Sequence, residues 1–494
     1  MIVRNLQLIA LVLLCMVSGC NSGYRAQIID PPTGVLENVW DNVSEDPLIA
    51  YSQMLPEDWW NLFDDDQLAN FIQTAFMRNP SLQEARAKIL QASYNADRVH
   101  ALLFPNMTWG ADVLREKLSE TGIIPFNTSG QTTGQAPQVM QGGSSGIPVY
   151  FTQYETEFTL TYDFDIWGKN RSLLRAALGD VQTNIADEAF ARLQLGIAVA
   201  KTYFELQIYY KRQEIAQAQV AIRERLLELS RQRVREHLDS DFNVISGEAV
   251  LAQAKQALYQ IQGAIAVDEY QLKTYLAGKF EEAITNTKIV EQPLPKVPLP
   301  KDIPLHLIAH RPDVISQLWV IESAGNQIEA AKAGFYPDFS LTALFGYQTI
   351  HPKELFKWPS SYYSVDPAVT LPFFDGGRLV AALHSSEVNY DLAIYEYNRL
   401  VLNAAKEVLE GIAVLRHNEL QLAEYKKITA QKDQNLQLTI QRADNNLGSD
   451  VDRLNSEINT LAARDQEVMA LGSTIQSILS LIKALGGGYE ACYE

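Results

Sequence analysis

A short alternating stretch passes directly into a very long segment without proline. From Phe158 to Ile166, apolar and polar residues alternate with a period of two, which is typical of a strand with one polar and one apolar face. After Gly168 no proline occurs before Pro293. Residues 168–238 therefore predict one helix of roughly 105 Å, at about 1.5 Å per residue. No compact domain accommodates such a helix, so we expect an elongated fold.

The same succession of elements occurs twice along the chain. Two proline-started, Ala- and Glu-rich stretches begin at Pro80 and Pro312, and each is followed by a strand-like run after a second proline. Further on, Gly168 corresponds to Gly377 and Arg233 to Arg442. The copies differ mainly in one loop, which is long and rich in Gly, Ser and Thr in the first copy. Such an internal repeat predicts two similar structural halves.

Each half is predicted to read helix, strand, loop, strand, very long helix, tight turn, helix. The predicted segments are a signal peptide over 1–19, a lipid-anchored tether over 20–65, a first repeat over 66–290, a Pro-rich linker over 291–302, a second repeat over 303–488 and a tail over 489–494. The first repeat contains strands at about 104–114 and 154–166, a long helix over 168–238, a tip and a helix over 241–278. The second contains strands at about 339–347 and 368–374, a long helix over 377–446, a tip and a helix over 450–485. Glycine at 168, 376 and 377 permits the backbone angles needed where a strand meets a helix.

Apolar residues in the long helices recur every seven positions. In the second copy this series carries one polar member, Thr429, and in the first copy it runs from Ile208 to Leu229. A sustained sevenfold repeat indicates coiled-coil-like packing rather than an isolated amphipathic helix. We therefore expect each long helix to pack against the helix that follows its turn. The second-copy series is Ile394, Val401, Val408, Leu415, Leu422, Thr429 and Leu436.

The N-terminus indicates export. Arg4 precedes an apolar run from Leu6 to Val17, which is too short to span a bilayer and fits a secretory signal. The run ends Val-Ser-Gly-Cys, which is similar to a bacterial lipobox, so Cys20 is the expected lipidation site; the alternative is a plain signal peptide with an incidental cysteine. With Cys15 removed and Cys20 lipidated, Cys492 has no partner for an internal disulfide.

Four predicted strands cannot form a closed sheet by themselves. A formal charge of −18 argues against nucleic acid as a partner. The strands have about the length that crosses an outer membrane, where open sheet edges leave backbone groups without partners. If they are transmembrane, the barrel must be shared between chains, since the smallest common barrel has about eight strands. The alternative is a soluble four-stranded sheet.

Several motifs together resemble one family. They are the lipobox at Cys20, Trp59-Trp60 with Phe63 and Asp65, Asn79-Pro80, Asp165-Ile166-Trp167-Gly168-Lys169, Phe373-Phe374-Asp375-Gly376-Gly377 and Lys483-Ala484-Leu485-Gly486-Gly487-Gly488. This set resembles the outer membrane factors of Gram-negative tripartite efflux and secretion systems, in particular the lipoprotein branch that works with resistance–nodulation–division pumps.

The resemblance implies a mainly α fold with a transmembrane β part. Three chains would share a twelve-stranded barrel in the outer membrane, four strands from each. An α-helical barrel of coiled-coil-like hairpins would continue it across the periplasm. The implied partners are a periplasmic adaptor and an inner-membrane pump, with no cofactor.

The same resemblance implies a periplasmic gate at the hairpin tips, where family aspartates face the pore. The pore-facing candidates are Asp452, Asp450 and Asp444; the other tip residues are Arg233, His237, Ser240, Asp241, Arg442, Asn446 and Ser449. This chain departs from the family pattern at Ala443, Asn446, His237 and Asn243. Because histidine tolerates a left-handed backbone less well than asparagine, we expect the first turn to be shaped differently from the second.

The leading functional hypothesis is a passive channel for efflux. The alternatives are an exit duct for peptide or protein secretion and a non-conducting lipoprotein that spans the periplasm. No enzymatic motif is present, and His306 with His310 lacks the carboxylate of a metalloprotease motif. Asp163 and Asp165 are interpreted as two residues on the polar face of one strand rather than as an acid–base pair.

Overall fold

A computed structural model describes residues 49–51, 55–117, 150–278, 294–299, 311–445 and 447–489. Its helices are α1 Asp66–Arg78, α2 Pro80–His100, α3 Lys169–Arg235, α4 Asp241–Tyr275, α5 Pro312–Ala333, α6 Arg378–Asp444 and α7 Asp450–Ala484. Its strands are β1 Ile49–Tyr51, β2 Asn106–Lys117, β3 Tyr150–Phe164, β4 Val297–Leu299, β5 Asp338–Thr349 and β6 Ser361–Thr370. No helix among the described residues combines the length and the apolar character that a membrane crossing needs.

Several predicted segments lie outside the described residues. They are the signal peptide, Cys20, the long loop of the first repeat, most of the Pro-rich linker, His306, His310, Asn446 and Cys492. The predictions made for them stay predictions.

The chain divides into two compact units. One contains the described residues of 1–93, 178–324 and 388–494, and the other contains those of 94–177 and 325–387. The first unit is helical and holds the main apolar core, while the second contains the four-stranded sheet. In the first unit, β1 also pairs in parallel with β4.

The helical unit is built on the sevenfold pattern. Ile394, Val401, Val408, Leu415 and Leu422 are all buried on α6, and even the polar member of the series is buried. On α3 the matching positions at 208, 215 and 222 are buried as well. Because these residues recur on one stripe, they supply a continuous core along each helix. The expected burial of the sevenfold series is confirmed. Its packing is wider than expected, because Ile222 of α3 clusters with Leu454 and Ile458 of α7, which belongs to the other repeat.

The N-terminal part of the described chain is anchored in the same core. Trp59, Trp60 and Phe63 are buried, and Phe63 lies with its ring centroid 4.8 Å from that of Phe204 on α3. Buried Asp65 caps α1 by accepting hydrogen bonds from the amides of residues 67 and 68. Its carboxylate also accepts a 2.8 Å bond from the Tyr203 hydroxyl. The aromatic motif before the first repeat is therefore a packing motif.

The sheet of the second unit is an antiparallel meander with the order β2-β3-β5-β6. Among the described strands, β2 and β6 each pair on one side only, so each has an open outer edge. The fourth strand was predicted over 368–374, and this prediction is wrong because β6 begins at Ser361 and ends at Thr370. Pro367 lies inside β6, opposite Leu341 of β5. An edge strand accommodates proline because the missing N–H faces no partner within the chain.

Candidate functional site

The two faces of the sheet have opposite chemistry. Side chains alternate between the two faces along each strand. The register places the large apolar side chains of β2, β5 and β6 on the same face as Phe158, with one exception on each of these three strands. The exceptions are Leu114, Leu344 and Tyr362. The apolar face carries Met107, Trp109, Val113, Phe158, Leu160, Tyr162, Phe339, Leu341, Phe345, Tyr363, Val365 and Val369. Most of these side chains are exposed or only half-buried in the single chain. Such a face suits contact with lipid.

Aromatic residues flank the sheet where the strands end. Trp167 stacks on Tyr336 with ring centroids 4.7 Å apart, and its indole N–H donates to the Pro337 carbonyl at 2.8 Å. Phe373 and Phe374 beyond β6 are 92% and 89% exposed. Exposed aromatic rings bordering an apolar sheet face are typical of the two membrane interfaces of outer-membrane barrels.

An aspartate caps each long helix at its junction with a strand. The Asp165 carboxylate accepts hydrogen bonds from the amides of Asn170 and Arg171 at 3.0 and 2.9 Å. The Asp375 carboxylate accepts bonds from the amides of Gly377 and Leu379 at 3.0 and 2.8 Å. Helix N-termini leave such amides without partners inside the helix, which explains why a carboxylate is favourable there.

This geometry corrects one interpretation. Asp163 lies within β3 opposite Ser340, but Asp165 lies beyond the end of the strand and does not share its polar face. Burial raises the pKa of Asp165, but the amide bonds and the Arg171 guanidinium outweigh it and hold the pKa below its ordinary value. At this position the carboxylate caps the N-terminus of α3 instead of continuing the alternation of β3.

The junction glycines have the backbone that the sequence predicted for them. Gly168 has φ of 78°, and Gly376 and Gly377 have φ of 65° and 89°. Left-handed angles of this kind favour glycine because other residues carry a Cβ that crowds the carbonyl. These positions let the chain change direction between strand and helix within two or three residues.

The first tip is closed by a left-handed residue and an aspartate. His237 has φ of 57°, and the amide of Leu238 donates to the Arg233 carbonyl at 2.8 Å. The Asp239 carboxylate accepts bonds from the Ser240 amide at 2.8 Å and the Asn243 side-chain amide at 2.6 Å. The Arg233 Nε lies 3.5 Å from the same carboxylate.

The second tip shares one closing hydrogen bond with the first but has a different cap. The amide of Leu447 donates to the Arg442 carbonyl at 2.8 Å, the counterpart of the bond at the first tip. Ser449 and Asp452 form a reciprocal capping box, in which the Ser449 hydroxyl and amide donate to the Asp452 carboxylate at 2.7 and 3.1 Å. Both tips form the same terminal hydrogen bond, but Asn446, the counterpart of His237, lies outside the described residues, so the expected difference in shape stays a prediction. The hydrogen bond overrides the modest preference of histidine against a left-handed backbone.

The candidate gate residues lie together at the tips, with different surroundings. Asp452 folds back onto its own helix N-terminus, and Asp450 lies 3.3 Å from the Arg453 Nε. Asp444 is the exposed last residue of α6, and Ser240 and Ser449 are the N-caps of α4 and α7. Their orientation toward a pore remains a prediction. Asp239 was not predicted from the sequence, because Ser240, and not Asp239, occupies the N-cap position of α4.

Acid is expected to loosen the second tip. The hydrogen bonds from Ser449 lower the pKa of Asp452 below its ordinary value. A group with a lowered folded pKa contributes stability above its unfolded pKa, about 3.9, and loses it as the pH falls through the folded value. Hydrogen exchange of residues 447–456 should therefore accelerate between about pH 5 and pH 3 beyond the intrinsic dependence. Asp452→Ala should exchange fast at both pH values; if its ratio matches wild type, the cap is not the cause.

Replacing His237 by glycine is expected to stabilise the first tip. Glycine removes the cost of a left-handed non-glycine residue, so His237→Gly should gain about 1 kcal/mol. His237→Ala keeps a Cβ and serves as the matched control. Hydrogen exchange at residues 236–243 should slow in the glycine variant only, and equal slowing in both variants would point to the lost imidazole instead.

Comparison with known proteins agrees with this geometry. The model of the outer membrane efflux protein family matches residues 71–278 and 304–487. The multidrug resistance outer membrane protein MdtP of Shigella flexneri is 25% identical over 453 residues, covering 91% of this chain and 90% of the relative. The putative multidrug resistance outer membrane protein MdtQ of Escherichia coli K12 is 28% identical over 439 residues, covering 87% and 88%.

Solved structures show the same architecture. The outer membrane protein VceC of Vibrio cholerae has a TM-score of 0.71 at 27% identity, covering 88% of this chain and 100% of that one. The CmeC outer membrane channel of Campylobacter jejuni has a TM-score of 0.77 at 20% identity, with 96% of each chain covered. The matched family and the relatives are outer membrane transport proteins rather than enzymes. By its two matched repeats and its fold, this chain belongs to the outer membrane efflux protein family.

Proposed function

We propose that this protein is the outer-membrane exit duct of a tripartite efflux pump. It conducts substrates passively, and the energy comes from an inner-membrane transporter that a periplasmic adaptor connects to the duct. The family match and the resistance-associated relatives support the efflux role. The observation that carries the duct is the sheet, which has one apolar face, one polar face and two open edges.

The open edges require other copies of the chain. In hydrocarbon, each unpaired backbone group costs several kcal/mol, so β2 and β6 need partners. In the meander, β2 and β6 run in opposite directions. The β6 strand of one copy can therefore pair with β2 of the next as an ordinary antiparallel neighbour, and three copies give a closed barrel of twelve strands. Acylation of Cys20 would tether each copy to the membrane.

Disulfide crosslinking tests the assembly. In a Cys492→Ser background, cysteine at Ala111 on β2 is combined with cysteine at Tyr363, Val365 or Val369 on β6. We expect oxidation of the membrane-embedded protein to give covalent products that end at three chains. Cysteine at Ala343, on the inner strand β5, is the control and should not crosslink to Ala111→Cys, because β6 lies between β5 and β2 of the next copy. A monomer that stays uncrosslinked at every β6 position would contradict the shared barrel.

Two measurements test conduction and efflux. Purified protein in planar bilayers should give discrete conductance steps. Co-expression with an adaptor and an inner-membrane pump should restore resistance in a strain that lacks its own exit duct. The absence of conductance under every condition would favour a non-conducting spacer. Conductance without resistance, but with export of a peptide substrate, would favour a secretion duct.

A further inference from the structure

Cations occur at only one end of the apolar face of the sheet. The helices adjoin one end of the strands, and the connections between β2 and β3 and between β5 and β6 lie at the other, which we call the loop end. Within the described strands, the register places two charged side chains on the apolar face, Arg115 and Lys117, both exposed and both at the loop end. Glu116 between them lies on the opposite face. The β2–β3 connection, residues 118–149, has one charged residue in its sequence, Glu120.

The loop between β5 and β6 adds two cations at the same end. It spans residues 350–360 and contains Lys353, Lys357 and one acid, Glu354, whose carboxylate lies 3.1 Å from the Lys357 Nζ. The loop is braced internally, because the Ser360 hydroxyl donates to the Glu354 carbonyl at 2.9 Å. Its charges are therefore carried by a loop with a defined structure.

The same loop lies against the apolar face. The Phe356 ring meets the Tyr347 ring edge-on with centroids 6.0 Å apart, and the register places Tyr347 on the apolar face. Phe356 is 78% exposed and Trp358 is 76% exposed in the single chain. On the other side of the sheet, the Lys117 Nζ lies 5.5 Å from the centroid of the Tyr150 ring. Cations beside exposed aromatic rings at the border of an apolar surface suit the level at which lipid headgroups meet acyl chains.

The helix end of the apolar face has aromatic side chains but no strand cations among the described residues. Trp167, Phe373 and Phe374 border the face there. The nearby Arg171 guanidinium lies 3.1 Å from the Asp165 carboxylate, which offsets its charge. Aromatic rings by themselves suit any lipid headgroup, so the additional positive charge at the loop end indicates a headgroup that is anionic.

The shared barrel would bring the two groups of cations together. In one chain, Arg115 and Lys117 lie on one outer strand, β2, whereas Lys353 and Lys357 lie in the loop before the other outer strand, β6. When β6 of one copy pairs with β2 of the next, the loop of the first copy adjoins the loop end of β2 in the second. Each seam between copies then collects four cations beside one acid, Glu354. A single chain holds only the separate halves of this site.

Resting on the proposed shared barrel, we propose that each seam binds an acyl lipid of the outer leaflet whose headgroup carries anionic phosphate. The acyl chains lie on the apolar face, and the phosphate oxygens accept hydrogen bonds from the guanidinium and ammonium groups. Lysine and arginine near a membrane surface each add attraction toward anionic lipid. Lipid A, the phosphorylated acyl lipid of Gram-negative outer membranes, has this chemistry and is the probe for the test.

Native mass spectrometry of the detergent-solubilised trimer, titrated with lipid A, tests the proposal. The wild-type trimer should bind one lipid A at each of its three seams, in preference to phosphatidylcholine. Both Arg115→Gln/Lys117→Gln and Lys353→Gln/Lys357→Gln should weaken binding at all three seams, by about fivefold for each cation removed. Because the two halves serve one lipid, either variant should keep the limit of three lipids and lower their affinity together.

Two control variants separate local charge from fold and from net charge. Arg115→Lys/Lys117→Arg exchanges the two cations and keeps the charge, so it should retain lipid A. Lys426→Gln/Lys432→Gln removes two exposed cations from α6 and should bind lipid A as the wild type does. Trimer formation on gels confirms that each variant assembles before its affinity is compared.

Each other outcome has a defined meaning. Equal affinity for lipid A in the wild type and both loop-end variants would overturn the proposal, and so would equal binding of phosphatidylcholine. Inorganic phosphate that displaces lipid A at a similar concentration would indicate a site for a free anion instead. Loss of part of the bound lipid, with the rest at wild-type affinity, would indicate two separate sites rather than a seam. In all these cases a trimer that still conducts leaves the proposed function intact, whereas a chain that forms no trimer and does not conduct would overturn the proposed function itself.

Discussion

Gly488→Ala is expected to be the most damaging single-methyl change in the described chain. Gly488 has φ of 80°, and a Cβ there would lie 2.3 Å from the Leu55 carbonyl oxygen and 2.4 Å from the Pro56 carbonyl carbon. Backbone atoms cannot turn aside as a flexible side chain can. Left-handed strain and overpacking together should cost about 2–4 kcal/mol. Thermal unfolding of the assembled protein measures the loss.

Gly278→Ala is the matched control for this prediction. Gly278 has φ of 78° at the corresponding end of the first repeat, but no atom of the described residues lies within 4 Å of the added Cβ. It should therefore show the backbone strain alone, about 1–2 kcal/mol. If both variants lose the same stability, the contact with residues 55 and 56 does not explain the glycine at 488.

Arg311→Met should give the second large effect. The Arg311 side chain is 6% exposed and pairs with Asp313 at 2.8 Å and Glu407 at 2.7 Å. Its guanidinium also donates to the Ala484 carbonyl at 3.2 Å. Removal leaves Asp313 partly buried without its partner, and we expect a loss of about 2–3 kcal/mol, discounted because Glu407 is half-exposed. Chemical denaturation measures the loss.

Two further variants separate the contributions at this site. Glu407→Gln removes the more exposed partner and should cost well under half of the Arg311→Met effect. Arg311→Lys keeps the charge but not the planar fork, so it should fall between the two. A lysine variant as unstable as the methionine variant would place the effect in the geometry rather than in the charge.

Arg311 also explains how the two repeats perform one task with different residues. At the start of the first repeat, the Asn79 side-chain amide donates to the Tyr275 carbonyl at the end of α4, at 3.1 Å. At the start of the second, Arg311 reaches the Ala484 carbonyl at the end of α7. In both halves, the residue before the repeat proline ties the first helix to the last carbonyls of the final helix. These carbonyls have no partner inside the helix.

Sequence patterns predicted those parts of the fold that depend on local periodicity. The alternation in β3, the sevenfold series on α3 and α6 and the left-handed glycines at 168, 376 and 377 all have the expected structure. Each follows from a repeat that must match the helix or strand period, or from a backbone angle that one residue type tolerates best. The repeated order of elements followed from the same local signals.

The roles of the acidic residues were harder to predict from the sequence, because the sequence does not show which group each carboxylate contacts. Asp165 and Asp452 cap helices, Asp239 lies beside an arginine, and Glu155 and Glu157 share a tyrosine from another strand. Likewise, β6 could start before a proline only because it is the outer strand of the sheet.

The linear order of residues by itself determined the strands, the long helices, the turns and the repeat, since periodicity and backbone preference act over a few neighbouring positions. Only the tertiary structure decided which acids are neutralised, why Gly488 has no room for a methyl group and how Asn79 and Arg311 serve the same end. Those outcomes depend on atoms that are distant along the chain and adjacent in space, and a local sequence pattern does not show which distant residues come into contact.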